Sequence, residues 1–581
     1  MRDKKEVLVI FKTHLDIGFT DFSENVLRQY FKKYIPDAIK VGYELKAMGT
    51  PFIWTVGSWL VWQALKHDKS GIVENAIKDG ILSWHALPFT THTELMSEKL
   101  FEYGVKLSKK LDERFCKKTI GSKMTDVPGH TKGMIPIMQR NGIKFLHIGV
   151  NTATPVPKLP PVFKWRYAGS EIIVMYQGDY GEIAEFDDFV VYFAHTNDNC
   201  GPQSAQEILD VYKKIKKMYP GCDVKAATID DLARKVCQLK DLPIVENEIG
   251  DTWIHGAGTD PQKVSRYRKL LRRFDEIDED SVDLTDSLLC IPEHTWGMDF
   301  KTHFGDDKKY THQEIESLTI EKEKIEKSWQ EQRDYVIKAE KLMGVTPDYP
   351  IKPPLLNEYI EIEVPTDIDY EISWQLFDNS DYRRYENMYL RNLDVDGWWK
   401  YWDFTKKGLP QYDGGIYIAK IVKAYQRSDE KLYEMRFDED IEKTYGLPKF
   451  YLSLNGENIC ATWFGKHASR FPQAFWFKIK SIEENWQIQK MGAWILVNDI
   501  LDSPFICGID KGVRNSFVTI ECLDSILVAP FGRMLLQYGV EKGKQDLYFN
   551  LYNNIWNTNF PMWYSDDAMF RFKITKANKR K

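Results

Sequence analysis

Eight short apolar runs punctuate the first 240 or so residues: Val7–Phe11, Phe52–Val56, Ile81–Leu87, Ile120–Thr125, Phe145–Ile148, Ile172–Tyr176, Phe189–Ala194 and Val224–Thr228. Each has the length of a buried strand, and amphipathic stretches such as Glu98–Phe115 and Ser204–Met218 lie between them. Strand–helix alternation of this kind builds an α/β domain around a parallel sheet, open or closed into a barrel. Such folds gather their sites at the C-terminal ends of the strands. Polar residues recur there: His14 and Asp16, His85, Thr91-His92, Asp126, and His195-Thr196-Asn197-Asp198.

The rest of the chain changes character twice. Lys263–Phe274 and Thr311–Met343 read as long charged helices of a bundle, with Leu288-Leu289-Cys290-Ile291-Pro292-Glu293-His294-Thr295-Trp296-Gly297 between them. The proline cluster at 347–354 reads as a linker. Beyond it, runs rich in Ile, Val, Tyr, Phe and Trp, broken by Gly, Asn, Asp and Pro, predict a large β-sandwich. Three domains are therefore expected: an α/β catalytic domain over 1–248, a helical bundle over 249–346 and a β-sandwich over 347–581. A length of 581 residues is too great for one core.

Composition excludes several functions. A formal charge of −6 offers no basic stripe for nucleic acid. No run of about 18 apolar residues is present to span a membrane. The N-terminus lacks an apolar signal-peptide core, and the scattered cysteines form no Cys-x-x-Cys pair, so reduced thiols and a cytoplasmic location are the default expectation. Aromatic residues are abundant at 14%, which suits sugar stacking and equally suits a sandwich core.

Thr13-His14-Leu15-Asp16 follows the first strand run. In extended chain the imidazole and the carboxylate point the same way and make half of a zinc-type ligand set. Alone the pair is weak evidence. Asp126, before Val127-Pro128-Gly129-His130, reads either as the cap of a turn or as a carboxylate facing outward from a strand end. His294 reads either as a helix-terminal histidine stacked on Trp296 or as a further ligand. His14, Asp16, Asp126 and His294 together offer two nitrogens and two carboxylates, a set suited to zinc or another divalent cation with room for a substrate oxygen.

In motif order, residues 5–345 resemble the glycoside hydrolase family 38 α-mannosidases. The His14-x-Asp16 pair stands on the first strand, and Thr125-Asp126-Val127-Pro128-Gly129 stands where that family carries Asp-x-Phe-Gly, with Pro128 in place of Phe. Asn141-Gly142-Ile143-Lys144-Phe145 and Phe163-Lys164-Trp165-Arg166-Tyr167-Ala168-Gly169-Ser170-Glu171 follow in order, and Leu288-Leu289 precedes His294. The resemblance implies a divergent member with a seven-stranded barrel-like β/α catalytic domain. It also implies a divalent cation held by His14, Asp16, Asp126 and His294, and Asp126 as nucleophile of a retaining reaction on α-mannosides or a related α-glycoside. His255 competes for the fourth ligand position.

The acid/base is placed at Asp198. Its other expected duty is to cap the helix beginning near Ser204, and Glu94 and Asp251 are held in reserve. His85, His92, Trp165, His195, Asn197, Asp251, His255 and Trp296 are the expected sugar-lining residues. A carbohydrate is the expected partner, with neither nucleic acid nor membrane, and homo-oligomerisation is left open. A metal-dependent sugar deacetylase and a non-catalytic carbohydrate-binding protein are the competing readings.

Overall fold

Glu6–His14 is a nine-residue strand with every residue buried. Val7, Val9 and Phe11 enter one apolar core while Leu8 and Ile10 enter another, so the strand is covered on both faces. This is why its sequence is a continuous apolar run rather than an alternating one. In the computed structural model, which describes residues 6–277, 282–304, 308–395, 397–480, 485–501 and 506–576, the chain packs as two units. One takes the residues up to Thr93, Glu98–Asn247 and the short segment Glu293–Thr295. The other takes Glu94–Ser97, Glu248–Pro292 and the residues from Trp296 on.

The strands of the first unit are β1 (Glu6–His14), β2 (Trp54–Gly57), β3 (Leu82–His85), β4 (Gly121–Asp126), β5 (Phe145–Val150), β6 (Val162–Tyr167), β7 (Ser170–Gln177), β8 (Ile183–Glu185), β9 (Phe189–Asp198), β10 (Asp223–Ala226) and β11 (Ile244–Val245). They form two sheets. One runs β3-β2-β1-β9-β8, with β10 beside the start of β1, and the other runs β11-β6-β7-β5-β4. Parallel pairing joins β3-β2-β1-β9 in one sheet and β4-β5-β7 in the other, and β10 with β1 and β11 with β6 add two further parallel pairs. The Ala86 N–H donates to the Gly121 carbonyl at 2.9 Å, joining the edge of β3 to that of β4.

The expected seven-stranded barrel is not seen as a closed ring of ladders among the described residues. The free edge of β7 is taken by its antiparallel hairpin partner β6, and that of β9 by antiparallel β8. With these hairpin partners at their edges, β7 and β9 lie in separate sheets and do not pair with each other among the described residues.

In the second unit, Asp260 caps the helix Pro261–Glu276 by accepting from the Lys263 N–H, and Arg333 of the helix Ile320–Met343 pairs with the same carboxylate at 2.7 Å. The remaining chain forms a ten-stranded and a six-stranded sheet. Their faces meet through aromatic rings, with Phe477 against Phe572 at 4.7 Å and Phe475 against Trp463 at 5.3 Å. None of the helices among the described residues is long and apolar enough to cross a membrane.

The second unit also buries an ion cluster. The Lys490 ammonium lies 2.8 Å from Glu94 and 3.2 Å from Glu248, with all three side chains fully buried. The Gly508 and Asp251 N–H groups donate to the Glu94 carboxylate. Burial pushes the Glu94 carboxyl up to about 7 even with Lys490 beside it. Removing the cation leaves two buried acids without their counter-charge, which costs far more than the intact cluster contributes. Lys490→Met is expected to destabilise the protein by about 3–5 kcal/mol in urea unfolding, and Lys490→Met/Glu94→Gln/Glu248→Gln to recover much of that loss.

Candidate active site

The C-terminal ends of β1 and β4 and the segment Glu293–Thr295 bring four predicted residues together. His14 Nε2, Asp16 Oδ1 and His294 Nε2 form a triangle with sides of 3.1, 3.0 and 3.1 Å. His294 Nε2 also lies 3.6 Å from Asp126 Oδ2, beyond hydrogen-bonding distance, so that attraction acts through charge. His14, Asp16 and His294 are buried. The segment carrying His294 is fixed by an antiparallel bridge between Glu293 and Thr91.

The triangle has the chemistry of a cation site. Two imidazole nitrogens facing each other at 3.1 Å share room for one proton at most. The Glu293 carboxylate sits 2.7 Å from His294 Nδ1 and also accepts from the Thr295 N–H, an arrangement that would leave the His294 Nε2 lone pair to a bound cation. Asp16 Oδ2 is buried without a hydrogen-bond partner among the described residues. A divalent cation would satisfy the orphan oxygen and separate the two imidazoles, so the residues fit the metal that the resemblance implies. His255 lies in the second unit, its ring edge-on to Trp556 at 4.1 Å.

Asp126 has two features that its sequence context did not reveal. Its φ is +82°, a left-handed conformation that a non-glycine residue adopts only under constraint. Its Oδ1 accepts from the Tyr180 hydroxyl at 2.9 Å and from Asn151 Nδ2 at 3.1 Å, and these two donors also hydrogen-bond each other. Oδ2 is thereby left on the side of His294. Burial would raise its carboxyl, but His294 and His14 outweigh burial and hold it below the ordinary value. Asp16 is likewise held down by His14 and His294 against burial, and His14 is raised by Asp16 against the same opposition.

Asp198 ends β9, directly across the ladder from His14. The helix Ala205–Met218 is capped by Ser204 and Glu207, so the alternative duty of Asp198 as its cap is ruled out. Burial, and after it the negative charge of Asp16, pushes the Asp198 carboxyl up to about 7. Beneath these groups, Lys12 lines a cavity of about 40 Å³ with His14, His85 and Lys123. Burial lowers Lys12 to about 7 against the pull of Asp198 and Asp126, and lowers His85 to about 3, helped by Lys123 and Lys12. Lys123 donates to His147 Nδ1 at 2.6 Å and to the Tyr180 carbonyl at 3.2 Å.

The expected sugar-lining residues divide. His195 is half-buried with its ring 5.2 Å from that of Tyr180, and Asn197 is exposed. His85 is in the small cavity just described, and His92 is fully buried. Trp165 is a correction: its ring is completely buried and its Nε1 donates to the Asn247 carbonyl, a core position with no face for a sugar. Asp251 and Trp296 are buried in the second unit. The former accepts from the Trp253 N–H, and the latter lies beneath the Lys263 ammonium at 3.6 Å. The reserve carboxylate Glu94 is committed to Lys490.

Sequence reasoning missed Tyr180, Asn151, Glu293 as a partner of His294, and Asn199. Asn199 clamps the loop after β1: its Oδ1 accepts from the Asp16 N–H and the Tyr30 hydroxyl, and its Nδ2 contacts the Asp16 and Gly18 carbonyls and Thr20 Oγ1. The only available signal was its place one residue after Asp198.

Comparisons with known proteins agree with this fold. A family model described as a domain of unknown function (DUF5054) matches residues 257–346, the stretch that carries His294. Curated protein sequences give no match. Among solved structures, the chain is similar to an α-mannosidase from Enterococcus faecalis V583, with TM-score 0.63 and 9% identity over 99% of this chain and 88% of that one. It is also similar to a glycosyl hydrolase family 38 protein from Enterococcus faecalis, with TM-score 0.58 and 8% identity over 100% and 87%. At such identities the likeness is one of fold.

Asn199→Ala strips the Asp16 N–H and the Gly18 carbonyl of buried partners at once. It is expected to lower stability by about 2–4 kcal/mol in urea unfolding, while Asn197→Ala, on the exposed neighbour, changes it by less than about 0.5 kcal/mol.

Proposed function

We propose that this chain is a metal-dependent retaining glycosidase acting on α-mannosides or a closely related α-glycoside. The observation that carries the reading is the buried triangle of His14, Asp16 and His294 beside the strained carboxylate of Asp126. The likeness in fold to the Enterococcus faecalis α-mannosidase supports it. A divalent cation held by His14, Asp16, His294 and Asp126 would supply Lewis-acid coordination of the sugar's hydroxyls.

The chain's own residues divide the rest of the work. Tyr180 and Asn151 hold Asp126 through Oδ1 and restrict its rotation, while Oδ2 attacks the anomeric carbon to give a glycosyl ester. Asp198, protonated up to about pH 7, gives its proton to the departing glycosidic oxygen. The same carboxylate then takes a proton from water as water hydrolyses the ester, which restores both acids. Asp126 is held ionised while Asp198 is held protonated, as the two roles require.

A panel of aryl α- and β-glycosides, with acetate release from acetylated sugars as a control, tests the reading. Turnover of the α-mannoside with retention of configuration is expected, and acetate release without glycoside turnover would overturn it. Asp126→Asn is expected to reduce kcat by more than about 10³-fold, and Asp198→Asn by roughly 10²–10⁴-fold with less loss on substrates whose leaving group needs no proton. For pH, a raised carboxyl pKa keeps the acid form up to about 7. Activity should therefore decline as pH rises through that value, and a bound cation draws the limb to lower pH. Chelation is expected to abolish activity and zinc to restore it.

A further inference from the structure

A second group of metal-ligating side chains lies outside this site, wholly within the second unit. His312 and Glu316 occupy the first and last positions of the helix His312–Glu316, four residues apart and therefore on one face. His467 faces them from the loop after the strand Asn458–Phe464. The two imidazole rings lie 4.9 Å apart, and His467 Nδ1 is 3.2 Å from Glu316 Oε1. One donor atom from each residue falls within 4.8 Å of the others. His312 Nδ1 is shielded from solvent and has no hydrogen-bond partner among the described residues.

The backbone holds the three residues in register. Thr311 and Glu314 form a capping box that fixes the first turn of the helix. The His467 N–H donates to the Gly446 carbonyl at 3.0 Å. Gly446 has φ +66° and sits so close that a Cβ there would lie 2.6 Å from that of His467, so only glycine allows the approach. His312 and His467 border an open hollow of about 730 Å³. Its cations are already neutralised, Arg436 by Glu442 and Lys443 by Glu439, so they do not oppose a further positive charge.

The geometry points to a second divalent transition-metal site, His312–Glu316–His467. Two imidazoles and one carboxylate select a borderline ion of the Zn²⁺, Co²⁺ or Ni²⁺ kind over Mg²⁺ or Ca²⁺, which require oxygen-rich shells. Bonds of about 2.0–2.1 Å need donors closer than the present 4.8 Å limit. Glu316 and His467 are about half exposed and can rotate inward to supply the difference. Three protein ligands leave the fourth position of a tetrahedron open to the hollow.

The competing account is a plain surface ion pair of His467 with Glu316, which needs no metal. The test is a calorimetric titration of the chelator-stripped full chain with Co²⁺, following the visible absorption that nitrogen coordination produces. Wild type is compared with His467→Gln and Glu316→Gln, both at exposed positions where folding is preserved and checked by thermal melting. The expected result is that the wild type binds one equivalent more than either variant. Equal numbers of equivalents in all three proteins would overturn the site. An anomalous peak between His312 and His467 in a Co²⁺-soaked crystal would support it independently, and its absence at full occupancy elsewhere in the same crystal would count against it.

Discussion

The inward-facing triangle at the end of β1 sets terms that the surrounding structure must meet. His14, Asp16 and His294 are buried at about 3 Å from one another, and Asp126 adds a second carboxylate on the same side. Desolvation on this scale is costly unless every group has an opposite charge, a hydrogen bond or a cation. Each supporting feature of the first unit answers that demand. Glu293 orients His294, Asn199 satisfies the backbone after Asp16, and Tyr180 with Asn151 occupies one oxygen of Asp126. What the protein leaves unsatisfied, the second oxygen of Asp16, points to where a cation belongs.

The strand topology explains how so many polar groups reach one place. Parallel strands deliver their C-terminal ends to the same side of a sheet, so His14, Asp126 and Asp198 converge although they are far apart in sequence. The bulge between Lys12 and His14 in the β1–β9 ladder turns the end of β1 out of regular pairing where the triangle's first residue stands. Strain at Asp126 is the same device in another form: a left-handed residue at the end of β4 aims a carboxylate that regular extended chain would direct elsewhere.

The parts of this arrangement that sequence made legible were those written in local pattern. A strand buried on both faces is a continuous apolar run, and β1, β5 and β9 were readable for that reason. The candidate ligands were singled out because ligand chemistry restricts them to a few residue types and because their order resembles that of a known family; singly, each had an ordinary alternative reading. Tyr180 and Asn151 carried no such mark, since a tyrosine before Gly181 and an asparagine after a strand are ordinary loop residues until the fold sets both on Asp126. Of the hairpin, β7 was readable and β6 was not, because the outward residues of β6, Lys164 and Arg166, are polar and the turn rests on left-handed Ala168 and Gly169. The sequence pattern left an open sheet and a closed barrel equally possible, and the hairpin occupies the edge that closure would need. Trp165 illustrates the converse error, an aromatic residue whose neighbourhood in sequence suggested a sugar platform but whose ring the sheet buries completely.

On the proposed function, Asp126 and Asp198 would run both halves of an acid–base reaction from one small region. Both are carboxylates at strand ends in the field of the same histidines, yet they move in opposite directions. Asp126 sits against His294 and accepts two hydrogen bonds, so its charged form is the favoured one. The Asp198 carboxylate is desolvated with the negative charges of Asp16 and Asp126 in reach, so its neutral form is favoured. A cation in the triangle would neutralise the charge of Asp16 that helps keep Asp198 protonated. On the proposed function, metal binding and proton donation would be coupled through Asp16: the more completely its charge is compensated, the more acidic Asp198 would become. Of the two carboxylates, Asp198 is the one whose strength a cation there would tune, since the neighbouring histidines already hold Asp126 below its ordinary value.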